Sequence, residues 1–143
     1  MRSSPRRRGA TLLELLVVSA IAAVDAGIAV GGAARLADVL AVRGGMRDVR
    51  AALWTARSLA VLRATRTAVR FDTIGARVVV FARADTALVR PLRAVYGVRL
   101  SATRDSIAYG ADGLGYGAAN ARIVVRRRGA ADTLTLSRLG RVR

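Results

Sequence analysis

The 143-residue chain has no cysteine and no histidine. Without cysteine there is neither a disulfide nor a thiolate metal site. Without either residue, the usual nucleophiles, general bases and zinc ligands are missing. Acidic residues are scarce as well, nine in all, and Glu14 is the only glutamate. Beyond the N-terminal region the aspartates (Asp38, Asp48, Asp72, Asp85, Asp105, Asp112 and Asp132) are scattered with no close pairing, so no carboxylate pair is set up for acid–base work. The expectation is a protein that is not an enzyme and uses neither a metal nor a cofactor. Lysine is absent too, and all 25 basic residues are arginine. Beside the heavy Ala, Val and Gly content this points to biased coding, and it leaves the charge unchanged.

What the chain does have is an apolar stretch from Ala10 to Ala34. At about 1.5 Å rise per residue it would be roughly 38 Å long, enough to cross a hydrocarbon core of about 30 Å. Arg2, Arg6, Arg7 and Arg8 precede it, so the positive-inside rule keeps the N-terminus in the cytoplasm and exports the residues beyond Ala34. Glu14 lies inside this stretch, where a charge costs roughly 2.5–3.5 kcal/mol on the lenient insertion scale, and it needs a partner. Asp25 is a second carboxylate in the same stretch. It stays protonated, finds a partner in an assembled bundle, or is a tolerated substitution in a tilted helix. A cleaved secretory signal fits the small residues Ala20-Ile21-Ala22, but Glu14 interrupts its apolar region and the apolar run continues past the cut. An ordinary signal anchor explains the length and the arginines, yet neither Glu14 nor the Arg8-Gly9 junction.

The run Arg6-Arg7-Arg8-Gly9-Ala10-Thr11-Leu12-Leu13-Glu14-Leu15, leading into the long apolar stretch, resembles the class III signal of type IV pilins and type II secretion pseudopilins. That resemblance implies cleavage after Gly9 by a prepilin peptidase, Ala10 as the new and normally N-methylated terminus, and Glu14 as the assembly glutamate facing a neighbouring subunit's terminal amine. The physics agrees, because a carboxylate four residues after the new N-terminus sits one helical turn from the amine and near the positive end of the helix dipole. The chain departs from the family's pattern in two places. Ala10 stands where phenylalanine is usual, and Gly31-Gly32 stands where many members carry a proline; glycines weaken a helix without a proline kink.

A second helical pattern comes next: Val39, Val42, Met46, Val49, Leu53, Ala56 and Ala60 recur at steps of three and four, which predicts a helix with one apolar face. Gly44-Gly45 is a point where it could bend, and Trp54, beside the apolar face, is expected to be a core anchor. From Thr67 the pattern shortens. Ala68–Phe71, Arg77–Phe81, Leu88–Arg90, Val95–Leu100, Ser106–Tyr109, Ile123–Arg126 and Thr133–Leu136 are rich in β-branched or aromatic residues and punctuated by Gly or Asp. The expected fold class is α+β, a long N-terminal transmembrane and amphipathic helix (the pilin stem) followed by an all-β sheet or sandwich that the helix covers. The expected organisation is a basic leader at 1–9, a transmembrane stem at 10–34, an amphipathic continuation at 35–65, and a periplasmic β domain with a basic tail at 66–143.

Ala56-Arg57-Ser58-Leu59-Ala60-Val61, Tyr109-Gly110-Ala111-Asp112-Gly113 and the closing Leu139-Gly140-Arg141-Val142-Arg143 narrow the resemblance to the GspH/FimT branch of minor pilins. Taken alone, Asp112-Gly113 is also a good turn, and Arg57 a solvated helix position. The branch implies an inner-membrane, single-pass subunit with a periplasmic domain that is drawn into a filament with other pilin or pseudopilin subunits. GspH-like members are minor pseudopilins supporting secretion across the outer membrane. FimT-like members belong to type IV pili, and some bind DNA for natural uptake through a Gly-Arg-x-Arg tail. Cleavage after Gly9 removes four of the 25 arginines and leaves 21 against nine acids, a net charge of +12, which favours acidic partners. Arg122, Arg126, Arg127, Arg128, Arg138, Arg141 and Arg143 crowd the C-terminal end with Asp132 alone opposing them. If the Arg126–Arg128 turn and the tail fall on one side, they form a phosphate-binding patch, with Arg126, Arg127, Arg128, Arg138, Arg141 and Arg143 as candidate contacts to duplex DNA. Lacking aromatic platforms there, binding would be backbone-directed and indifferent to sequence. The other reading is a solvated basic edge that blunts strand pairing.

Overall fold

The computed structural model describes residues 11–116 and 121–137. Helix α1 (Leu12–Leu62) is followed by β1 (Thr67–Asp72), β2 (Arg77–Ala82), β3 (Asp85–Pro91), the short helix α2 (Leu92–Tyr96), β4 (Arg99–Ala102), β5 (Ser106–Tyr109), β6 (Gly115–Tyr116), β7 (Ala121–Arg127) and β8 (Ala130–Leu136). The chain divides into two compact units, Met1–Ala34 and Arg35–Arg143.

In the first unit, Thr11 caps the helix. Its carbonyl accepts the Leu15 amide at 3.1 Å and its Oγ1 accepts the Glu14 amide at 3.2 Å, the N-cap bond to the third helical position. Leu12, Leu13, Leu16, Ile21, Val24 and Ile28 are all exposed. A helix that is apolar all round is built for lipid or for a bundle rather than for one side of a globular core. It is long and apolar enough to cross a membrane.

In the second unit, α1 becomes one-sided. Val42, Met46, Val49, Leu53, Ala56 and Ala60 are buried and share one core with Val69, Val78 and Val80 of one sheet and Leu100, Ile123 and Leu134 of the other. The larger sheet has the order β3-β2-β1-β5-β6 and the smaller β4-β7-β8, with every pairing antiparallel. Alternate residues of β1, β2 and β7 are buried, the period-two pattern of strands with one face on a core. α1 ends in a Schellman motif: the Thr65 amide reaches the Ala60 carbonyl at 3.0 Å and the Ala64 amide that of Val61 at 3.2 Å. Ala64 takes the left-handed conformation there, with φ +44°, where glycine is the usual residue.

Three expectations are corrected. Trp54 is not a core anchor: it is 69% exposed, because it follows the buried Leu53 by one residue and so turns about 100° away from the core. Val39 stands at the edge of the apolar face and is exposed. The expected strand Val95–Leu100 is part helix: α2 runs to Tyr96, Gly97 closes it at φ +64° with its amide on the Arg93 carbonyl at 2.9 Å, and β4 begins only at Arg99. α1 runs unbroken across Gly44-Gly45. These glycines admit neighbours: a Cβ on Gly44 would lie 2.6 Å from the Tyr96 ring, and one on Gly45 3.2 Å from Val125.

Candidate functional site

Glu14 is the third residue of α1 and lies in its first turn, so its charge complements the positive end of the helix dipole. Thr11-Leu12-Leu13-Glu14 is also the Thr-x-x-Glu spacing of a capping box, of which the Thr11 half is formed. This capping signal is legible in the sequence itself, where it overlaps the family motif. Neither Glu14 nor Asp25 forms an ion pair among the described residues. The two are eleven residues apart, close to three helical turns, and therefore lie on one face of the helix. Gly9 and Ala10 fall outside the described residues.

The three consecutive arginines are divided by strand alternation. Arg126 points out from the smaller sheet, Arg127 is half-buried, and Arg128 sits in the hairpin turn with φ +46°. Arg127 Nε lies 3.0 Å from Asp38 Oδ1 on α1, and Arg128 Nη1 lies 3.6 Å from the same oxygen. Asp38 is buried and its Oδ1 receives no aligned hydrogen bond, so the Arg127 contact is a charge pair approached off-axis. Arg127 Nη1 also donates to the Tyr96 carbonyl at 2.7 Å, and the Tyr96 hydroxyl donates to Asp48 Oδ2 at 3.2 Å. Partial burial and the neighbouring Asp48 carboxylate raise the Tyr96 hydroxyl pKa above the ordinary phenol value. Arg127 therefore ties α1, α2 and β7 together.

The outward face of the smaller sheet remains basic. Arg99 of β4 stands directly opposite Arg126, and Arg122 lies two positions before Val124 on the same face. Ser101, Thr133 and Thr135 add exposed hydroxyls, and Asp132 falls on the other parity of β8. Like charges directly opposite one another destabilise a sheet, so this pairing costs the fold something that a bound anion would offset. Arg99 sits far from the C-terminal cluster in sequence, and only the strand register brings it beside Arg126. Arg138, Arg141 and Arg143 lie outside the described residues.

Two of the downstream motifs meet. A Cβ on Gly113 would lie 2.9 Å from Val61 Cγ2 and 3.5 Å from Arg57 Nε. The Gly110–Leu114 turn that brings it there is closed by Gly110 N to Leu114 O at 2.9 Å and by Leu114 N to Asp112 Oδ1 at 3.0 Å. Gly113 has φ +72°, which glycine adopts without strain. Tyr109, which precedes the turn, is buried, and burial raises its hydroxyl pKa. The motifs thus fasten a turn onto the last turns of α1.

No protein-family model matches the chain, and no curated protein matches it. Two crystal structures of the type IV minor pilin FimU of Pseudomonas aeruginosa do match in three dimensions. Both are 15% identical in sequence and cover 71% of this chain; their TM-scores are 0.61 and 0.59, over 86% and 90% of the FimU chain respectively. The fold of this chain, a long apolar helix followed by antiparallel sheets, is therefore the pilin fold seen in FimU.

Proposed function

We propose that this chain is a pilin-like filament subunit of the GspH/FimT kind, a non-catalytic minor pseudopilin supporting protein secretion across the outer membrane. On this reading a prepilin peptidase cuts after Gly9, Ala10 becomes the methylated terminus, and residues 10–34 hold the subunit in the inner membrane. The N-terminus starts in the cytoplasm and the β domain in the periplasm. The observation that carries the reading is Glu14: a carboxylate in the first turn of an exposed, apolar, membrane-length helix that leads into a FimU-like β domain. It forms no ion pair among the described residues. A neighbouring subunit's terminal amine would supply the missing positive charge at low dielectric. The intact mass of protein extracted from membranes tests the processing step. The expected species begins at Ala10, with or without one methyl group, and a chain beginning at Met1 or after Ala22 refutes it.

A second reading, a FimT-like minor pilin that binds duplex DNA during uptake, is favoured by the opposed Arg99 and Arg126 on a sheet face with no acidic side chain among its described residues. In this reading the sheet face and the Arg141/Arg143 tail both contact phosphates, each contact adding about 0.9 to the salt slope on duplex DNA. Binding of residues 35–143 to duplex DNA across salt, with Arg99→Ala/Arg126→Ala and Arg141→Ala/Arg143→Ala alongside, separates sheet from tail. Negligible, salt-insensitive binding by all forms ends this reading.

A further inference from the structure

The face of α1 turned away from the core carries its own stripe. Leu40, Arg43, Arg47, Arg50, Trp54 and Arg57 succeed one another at alternating steps of three and four, and Val61 continues the series. All but Arg57 are exposed, and Arg57 is half-exposed. Alternating three and four is the 3.5-residue period of a seam that meets a second helix along its length. From Leu40 to Val61 the seam is roughly 32 Å long at about 1.5 Å per residue. None of the four arginines takes part in an ion pair among the described residues. The apolar ends keep open surface as well: Leu40 is 56% exposed, and Val61, although the Gly113 turn packs against one side of it, 52%.

We infer that this stripe docks the acidic face of a helix from a different subunit, with carboxylates opposite Arg43, Arg47, Arg50 and Arg57 and apolar contacts on Leu40, Trp54 and Val61. The inference deepens the pilin-like assembly proposed above and rests on it. Charge decides the partner's sign, since four unpaired guanidiniums on one seam repel any basic surface and lose solvation unless carboxylates replace it. A second copy of this chain does not supply the match. Along α1 its carboxylates are Glu14, Asp25, Asp38 and Asp48, each ten or more residues from the next. Asp38 is already held by Arg127, and Asp48 by the Tyr96 hydroxyl. Two copies placed seam to seam would set arginine against arginine. A nucleic acid backbone would satisfy the charges but leave Leu40 and Val61 facing water.

The test uses the full-length chain in its own membranes, with a photo-crosslinking residue (p-benzoylphenylalanine) at Arg47 and, separately, at Leu16 in the apolar stem. The expected Arg47 product joins this chain to a different protein, at a peptide with acidic residues three and four apart. Arg43→Glu/Arg50→Glu should lower its yield at least about tenfold, the equivalent of 1.4 kcal/mol, with the thermal midpoint of residues 35–143 unchanged. Reversing the facing carboxylates to arginine should restore it. An adduct between two copies of this chain, an adduct to DNA, or a yield indifferent to charge reversal would overturn the inference. So would the absence of an Arg47 adduct while Leu16 still crosslinks to neighbours. Loss of adducts at both positions would refute the assembly itself, and the inference with it.

Discussion

Among the described arginines of the β domain, Arg127 is the one whose removal the fold should feel most. Its Nε sits 3.0 Å from Asp38 Oδ1 and its Nη1 2.7 Å from the Tyr96 carbonyl. The Asp38 side chain is 11% exposed and that of Arg127 32%. Removing one partner of a fully buried pair costs about 3–5 kcal/mol, whereas an exposed pair is worth about 0–1 kcal/mol. Here the carboxylate is dry and the guanidinium is one-third wet. Arg127→Ala leaves Asp38 with only Arg128, which is 3.6 Å away and 71% exposed, and it strips the Tyr96 carbonyl of its donor, about 1 kcal/mol more. The sum is about 2–3 kcal/mol. Asp38→Asn removes the charge but leaves Arg127 partly solvated and still bonded to Tyr96, so about 1–2 kcal/mol is expected. Arg128→Ala should cost under about 0.5 kcal/mol. Urea denaturation of residues 35–143, followed by circular dichroism and compared at constant m, measures all three. If Arg127→Ala is no worse than Arg128→Ala or Arg126→Ala, the assignment of Arg127 to a structural pair is refuted.

Ala64→Gly relieves a left-handed alanine at the end of α1 and should stabilise by about 0.5–1 kcal/mol, a thermal midpoint several degrees higher; no rise would mean the strain is not there. Gly44→Ala should raise stability by about 1 kcal/mol on helix propensity alone, yet the 2.6 Å approach to the Tyr96 ring is expected to reverse the sign. A higher midpoint for that variant contradicts the packing role given to Gly44. The Asp72 carboxyl is held below the usual carboxylate range, first by the Gly75 amide and then by Arg77. A lowered folded pKa places the turn's stabilisation above about pH 4 and removes it as pH falls through the folded pKa. The Gly75 amide resonance should therefore titrate in that acid range in the native protein and stop doing so in Asp72→Asn; a titration that survives the substitution assigns the effect elsewhere.

Periodicity located the long elements because their burial is periodic. The series Val42, Met46, Val49, Leu53, Ala56 and Ala60 is the buried face of α1, and the strands from Ala68, Arg77, Ser106, Ile123 and Thr133 lie where β-branched residues cluster. The sequence misled where a single residue's type outweighed its position. Trp54 has a core side chain at a solvent angle, and Val95-Tyr96 has strand residues in a segment that Pro91 and Gly97 bound as one helical turn. The Gly44-Gly45 pair looked like a weakness in the helix, and its reason lies 52 residues away from Gly44, in the ring of Tyr96.

The charge shows most clearly how much a sequence leaves open. A net charge of +16 states that acidic partners are favoured but not where they bind. Folding sorts the arginines into groups with different work. Arg127 is tied to the buried Asp38, so its substitution registers in stability, while Arg77 is tied to Asp72 in a more exposed pair that registers less. Arg99 and Arg126 face each other across two strands, a pairing that only register reveals. Arg43, Arg47, Arg50 and Arg57 line the outer seam of α1, where their spacing was visible but its emptiness was not. An assay that neutralises arginines by position in the sequence, such as the run at 126–128, would mix these groups and read a lost fold as lost binding. Substitutions chosen by face keep the two apart: the Arg99/Arg126 pair tests anions on the sheet, the Arg43/Arg50 pair tests a helix on the seam, and neither pair touches the Asp38–Arg127 contact that holds the domain.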